Sequence, residues 1–299
     1  MEGELLSLSA AFCWALGASI YKKSLSNVSP LILNLFRSSS AAMLIFLLLF
    51  PLQSLNHISK LSLSLAGLIC FTSLVTWGLG DTLYFLGLKL IGVGKTVPMT
   101  YSYPLFVLPI SILLLGEPLT IQIVIGTICV VTGIWLITGE AREETQHLGN
   151  SKLGIAASLG AAACWAFGTT CFKMILAYFD PVLLSFLRLI FLIPLLGAMS
   201  LMSSRNRLLI KQLSKLDIGL MALGGVIAIG IGDTIYLIGL NMTQANIAAP
   251  LGSTTPLFST ALALMLLRER LSKETVAAAL IMSLGIVLLN IRALAYGSL

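Results

Sequence analysis

Two stretches of this chain occur twice. Cys13-Trp14-Ala15-Leu16-Gly17 returns as Cys164-Trp165-Ala166-Phe167-Gly168, and Gly80-Asp81-Thr82-Leu83-Tyr84 returns as Gly232-Asp233-Thr234-Ile235-Tyr236. The first pair is offset by 151 residues, which also carries Lys22 onto Lys173 and Arg37 onto Arg188. After one inserted residue the offset is 152, and Pro98, Pro104, Glu117 and Gly133 fall on Pro250, Pro256, Glu269 and Gly285. Matches in one order with one gap mark an internal duplication. Its halves are residues 3–139 and 153–292, joined by a polar linker at 140–152 that holds Glu140, Arg142, Glu143, Glu144 and Lys152.

What was duplicated follows from composition. Of 299 residues, 58% are hydrophobic and 10% charged, with a mean hydropathy of +1.00. A soluble domain carries about a quarter charged residues, so this chain cannot cover a water-facing surface. A soluble enzyme, a disordered chain and a nucleic-acid binder are excluded. The pI near 9.1 comes from Lys and Arg placed in short breaks between apolar runs, not along one face.

About 20 apolar residues cross a bilayer. The runs 4–23, 30–50, 62–90, 94–116, 119–138, 154–175, 181–203, 216–241, 245–267 and 272–291 predict ten helices. The expected fold is therefore all-α, a polytopic membrane protein of ten transmembrane helices. Five spans per half is an odd number, so the second half enters the membrane upside down and the helices form two inverted five-helix repeats. Many secondary transporters are built this way, with the site near the midplane between the repeats.

Thirteen Lys and Arg lie in connections after odd-numbered spans and three on the opposite side. By the positive-inside rule both termini are expected outside the cytoplasm of a plasma-membrane protein. Glu2 and Glu4 stand where a cleavable signal needs positive charge, so no signal peptide is expected. The five cysteines lie in apolar runs and the two histidines in loops. Neither a disulfide framework nor a metal or cofactor is expected, and a monomer or weak homodimer is the anticipated state.

Ionisable groups inside spans are costly and face the bundle interior. Here they are Arg37, Asp81, Arg188 and Asp233, two duplicated pairs of zero net formal charge. They are candidates for coupling and gating, together with Lys22 and Lys173 at the ends of spans 1 and 6; a proton is the candidate coupling ion. Arg–Asp pairs that only lock helices together are the alternative. Tyr84 and Tyr236 follow the acids by one helical turn, and Trp14 and Trp165 lie mid-span, away from the interfacial belts that favour tryptophan. These four are candidate substrate contacts, with simple packing the alternative for the two tryptophans. The duplicated Pro98 and Pro104 in span 4, and Pro250 and Pro256 in span 9, are expected to break their helices. Tyr101, Tyr103, Ser253 and Thr254 around the breaks are further candidates, against the alternative that such hydroxyls bond carbonyls of their own helix. Glu117 and Glu269 read as caps of the helix that follows each.

This ordered, doubled set resembles the drug/metabolite transporter superfamily, in particular its ten-span proteins with two EamA domains. The resemblance rests on Trp14 to Gly17 with Lys22, Arg37, Leu115-Gly116-Glu117 and Gly133, and on the corresponding second-half positions. It implies export or exchange of small organic solutes through a cavity formed by spans 1–4 and 6–9, with spans 5 and 10 peripheral. Two features depart from the pattern. Small four-span drug antiporters of the superfamily carry a glutamate where Trp14 and Trp165 stand, so that route for cationic drugs is not expected. Ten-span relatives are also described with cytoplasmic termini, opposite to the charge count.

Gly78-X-Gly80-Asp81 and Gly230-X-Gly232-Asp233 also fit the GxGD pattern of intramembrane aspartyl proteases. Two carboxyls sharing a proton could activate water, but the other elements of that family are missing. An uncoupled channel or a lipid scramblase is a third class. The expectation is a transporter and not an enzyme: a secondary transporter of small organic metabolites, with amino acids and related zwitterions among the candidates. It would work by alternating access, in the direction of export.

Overall fold

The computed structural model describes residues 1–21, 28–139, 151–267 and 273–296, which are helical and contain no strand. Ten helical segments occupy the ten apolar runs. Segments 1, 2 and 3 are Glu2–Tyr21, Pro30–Leu49 and Leu63–Ile91. Segment 4 comprises Val93–Tyr101 and Pro104–Leu115, and segment 5 is Ile121–Gly139. In the second half, segments 6, 7 and 8 are Ser151–Ile175, Pro181–Met202 and Lys215–Met242. Segment 9 comprises Ala245–Gly252 and Thr255–Leu267, and segment 10 is Lys273–Tyr296. Among the described residues eight helices are long and apolar enough to cross a membrane; the helix of segment 5 is apolar over the shorter stretch Ile121–Leu136.

Local chemistry sets the ends. Ser29 accepts from the Ile32 amide ahead of Pro30, and Asp180 accepts from the Val182 and Leu183 amides ahead of Pro181. Each is an N-cap with proline at the first helical position. Gly116 closes segment 4 at a φ of +63°, a conformation that favours a residue without Cβ. Segments 4 and 9 break at residues 102–103 and 253–254, beside Pro104 and Pro256, whose rings offer no N–H to the preceding turn. Segment 3 runs 29 residues, about 43 Å at 1.5 Å per residue, longer than the roughly 30 Å hydrocarbon core.

Packing interleaves the halves. Segment 1 lies against segment 8, and its duplicate, segment 6, lies against segment 3. Segment 2 packs on segments 7 and 8. Segment 10 packs chiefly on segment 5, where a Cβ on Gly126 would come within 2.8 Å of Leu289 Cγ and one on Gly285 within 2.7 Å of the Gly126 carbonyl. Backbones that approach this closely gain dispersion contacts that lipid cannot replace. Segments 5 and 10 thus pair beside a body made by the other eight.

Candidate substrate cavity

Segments 3 and 8 change pitch just before their aspartates. Leu74–Gly80 and Val226–Asp233 are π-helical turns, a form concentrated at functional positions. Each delivers a glycine and an aspartate to a tryptophan of the other half. A Cβ on Gly80 would lie 3.0 Å from Trp165 Cδ1, and one on Gly232 would lie 3.2 Å from Trp14 Cδ1. Hydrogen in place of a side chain lets each indole press onto the helix. Trp165 Nε1 then donates to Asp81 Oδ1 at 3.2 Å, and Trp14 Nε1 donates to Asp233 Oδ1 at 2.6 Å.

The second carboxylate oxygen is bound from within the same half. Arg37 Nη2 donates to Asp81 Oδ2 at 2.9 Å, and Arg188 Nη2 donates to Asp233 Oδ2 at 2.7 Å. Asp81 and Asp233 each therefore tie the arginine of their own half to the tryptophan of the other. This pairing offsets the cost of taking the charges out of water. Arg37 Nε donates to Asn34 Oδ1 at 2.8 Å, while the Arg188 guanidinium lies 4.3 Å from the Trp77 ring centroid, a cation–π contact. Tyr236 packs on Trp14 with centroids 5.2 Å apart, and Tyr84 packs on Trp165 at 5.5 Å. Tyr101 and Tyr103 meet Trp165 edge-on at 5.7 and 6.3 Å.

These groups enclose a cavity of about 470 Å³. Trp14, Trp77, Tyr84, Phe85, Tyr101, Tyr103, Trp165, Phe172 and Tyr236 supply its aromatic walls; Arg37, Asp81, Arg188 and Asp233 supply its charge. The size suits a small organic molecule, since ligand pockets span about 300–1,000 Å³. Among the described residues no group of three His, Cys, Asp or Glu is placed to hold a metal.

The two ends of the cavity differ although their residues are duplicates. Tyr236, Leu237 and Leu240 are buried at the end that carries the N-terminus. Their first-half equivalents Tyr84, Phe85 and Leu88 are half-exposed and line the cavity towards the opposite end. Arg188 is 2% exposed and Arg37 14%. The described residues thus close the N-terminal end and leave the far end open.

Ten of the fourteen site candidates line this space: Trp14, Arg37, Asp81, Tyr84, Tyr101, Tyr103, Trp165, Arg188, Asp233 and Tyr236. Ser253 and Thr254 do not. Both are fully buried and donate at 2.7 Å to the Pro250 and Leu251 carbonyls, satisfying backbone loosened at the helix break. Gly252 faces the cavity there instead, and a Cβ on it would lie 3.0 Å from Tyr236 Cε2. Lys173 lies outside the lining and donates to carbonyls ending segment 8. Lys22 and Glu269 fall outside the described residues. Glu117 does not cap the helix that follows it; its carboxylate accepts from the amides of Ala245 and Asn246 in the other half.

Sequence reasoning missed Trp77, whose duplicate is Ile229, so a search for repeated residues passes over it. It also missed Gly80 and Gly232 as seats for the indoles, although both stand in the repeated motif.

Comparison with known proteins agrees with this architecture. A solved structure titled only as the crystal structure of a protein superposes with a TM-score of 0.79 over 97% of each chain, at 16% identity, which shows a shared fold. An uncharacterized transporter of Archaeoglobus fulgidus is 25% identical over 289 residues, covering 95% of this chain and 96% of that one. The uncharacterized transporter YvbV of Bacillus subtilis is 28% identical over 145 residues, 48% of this chain and 46% of its own. The EamA-like transporter family is matched twice, over residues 1–139 and 152–291. This polytopic, all-helical membrane protein belongs to the EamA-like transporter family of the drug/metabolite transporter superfamily.

Proposed function

We propose that the protein is a secondary transporter that exports a small organic metabolite by alternating access, with its two five-helix repeats inserted in opposite orientations. The observation that carries this reading is the unequal burial of duplicated residues. Tyr84, Phe85 and Leu88 are partly exposed, whereas their duplicates are buried: Tyr236 and Leu237, which line the same cavity, and Leu240. Halves of near-equal sequence can exchange these arrangements, which would close the far end and open the N-terminal one. The proposed setting is the plasma membrane, and the Lys and Arg bias favours both termini outside the cytoplasm.

The lining narrows the cargo. Its four charged side chains are bonded in Arg–Asp pairs, so a cargo with one uncompensated charge would have to break a buried pair. A neutral molecule or a zwitterion, amino acids among them, meets no such penalty, and flat unsaturated groups suit the aromatic walls. The second glycine of each GxGD run, Gly80 or Gly232, is accounted for as an indole seat. Both oxygens of each aspartate are already hydrogen-bonded, so neither pair of interactions resembles two acids sharing a proton, and the reading is not of an enzyme. A thermal-shift screen of metabolites on purified protein, followed by vesicle flux at two pH values, tests the proposal. Asp81→Asn is expected to abolish flux or remove its pH dependence while leaving a folded protein. Wild-type flux with unchanged pH dependence would take Asp81 out of the mechanism.

A further inference from the structure

We infer that Glu117 and Lys173, assisted by Glu4, form a latch that holds the N-terminal end of the cavity shut, an assignment that rests on the alternating-access reading. Three side chains from separate parts of the chain converge on the turn between segments 8 and 9. Lys173 Nζ, from segment 6, donates to the carbonyls of Leu240, Asn241 and Thr243 at 2.7, 3.1 and 2.7 Å. Glu117, from the turn after segment 4, accepts from the Ala245 amide at 2.6 Å and the Asn246 amide at 3.0 Å. Asn246 Nδ2 donates to the neighbouring Pro118 carbonyl at 3.3 Å. Thr243 Oγ1 donates to Glu4 Oε1 at 2.8 Å, and the other Glu4 oxygen pairs with the N-terminal ammonium.

The charges sit where the backbone needs them. A cation covers the last carbonyls of one helix and an anion covers the first amides of the next, each matching the helix dipole. These backbone groups have no partner within their own helices. Glu117 is 8% exposed, so its two amide bonds are made away from water. Its contacts also span the halves: Glu117 and Glu4 belong to the first, the turn to the second. Segments 8 and 9 cannot swing away from the first half at this end until Glu117 and Glu4 release. A carboxylate capping only its own helix would place no such condition on opening.

The test uses the full chain in lipid nanodiscs with its five cysteines replaced and one new cysteine. Leu240→Cys reports the shut end, Leu88→Cys its duplicate at the open end, and Ile45→Cys the buried core. Maleimide alkylation is expected to be fast at 88 and slow at 240 and 45. Adding Glu117→Gln or Lys173→Met should raise the rate at 240 by about tenfold, the population change expected from losing a hydrogen bond to a charged group. The rate at 88 should fall and that at 45 should stay slow. An unchanged rate at 240 in both variants, or equal increases at 240 and 45, overturns the latch. Glu117→Gln is used because it keeps one acceptor oxygen for the Ala245 and Asn246 amides, and where it unfolds Lys173→Met carries the test. Alkylation needs no cargo: redistribution without any vesicle flux would uphold the latch and reject the transport reading, and flux without redistribution would do the reverse.

Discussion

Replacing Trp14 by phenylalanine removes one N–H and leaves most of the ring. The lost bond is the 2.6 Å contact to Asp233 Oδ1, which joins segment 1 to segment 8 across the halves. Interhelical hydrogen bonds in membranes average about 0.6 kcal/mol and reach about 1.7 kcal/mol. A short bond to a buried carboxylate belongs near the upper end, so Trp14→Phe should lower stability by about 1.5 kcal/mol. The duplicate bond, Trp165 Nε1 to Asp81 at 3.2 Å, lies beside the more exposed pair, and Trp165→Phe should cost about 0.5 kcal/mol. Equilibrium unfolding of the purified protein in mixed micelles measures both values. A double-mutant cycle of Trp14→Phe with Asp233→Asn isolates the bond from packing and should return a coupling near 1 kcal/mol. A coupling of zero, or a larger loss for Trp165→Phe than for Trp14→Phe, would refute the claim that the indole–carboxylate bond ties the halves most firmly at the closed end.

Three further outcomes are expected. Arg188→Gln leaves Asp233, whose side chain is 11% exposed, without its cation, and Arg37→Gln does the same to Asp81 at 9%; each should cost about 3–5 kcal/mol, and a loss below about 1 kcal/mol for either in thermal unfolding would contradict a buried, paired charge. Gly232→Ala places a methyl within 3.2 Å of Trp14 Cδ1 and 2.9 Å of Cys13 Cβ, and should weaken cargo binding, measured by tryptophan fluorescence, about tenfold with the fold retained; unchanged affinity would remove the indole seat from the site. Trp77→Leu withdraws the ring beneath Arg188 and should destabilise the protein by about 1–2 kcal/mol. A loss no greater than that of Phe71→Leu, at an exposed ring, would show that the cation–π contact contributes nothing.

The repeat made much of this legible before any coordinates. Duplication identified Trp14 with Trp165, Arg37 with Arg188 and Asp81 with Asp233, and membrane cost argued that the charged four face inward. Of the four duplicated prolines, Pro104 and Pro256 located the breaks in segments 4 and 9, whereas Pro98 and Pro250, also expected to break their helices, lie inside Val93–Tyr101 and Ala245–Gly252. Which partner each aspartate takes was not legible, because a comparison of one half with the other says nothing about contacts between them. Trp14 meets Asp233, 219 residues away, through a glycine whose contribution is the absence of a side chain. The hydroxyls of Ser253 and Thr254 posed a choice between cargo and their own backbone, and chain geometry at the break decided for the backbone. Glu117 misled for a related reason: the start of the next helix in sequence was the expected partner, but folding brings the start of segment 9 closer. Trp77 and Gly252 act in single copy, where a repeat gives no signal.

Counterflow in proteoliposomes tests the central claim most directly. Vesicles are loaded with an unlabelled cargo from the thermal-shift screen and diluted into a trace of the labelled compound. A carrier whose cavity faces one side at a time predicts transient accumulation of label above its equilibrium level, lost in Asp233→Asn. Label that rises only to equilibrium at a rate independent of the internal load would mean a cavity open to both sides at once, and would contradict the account.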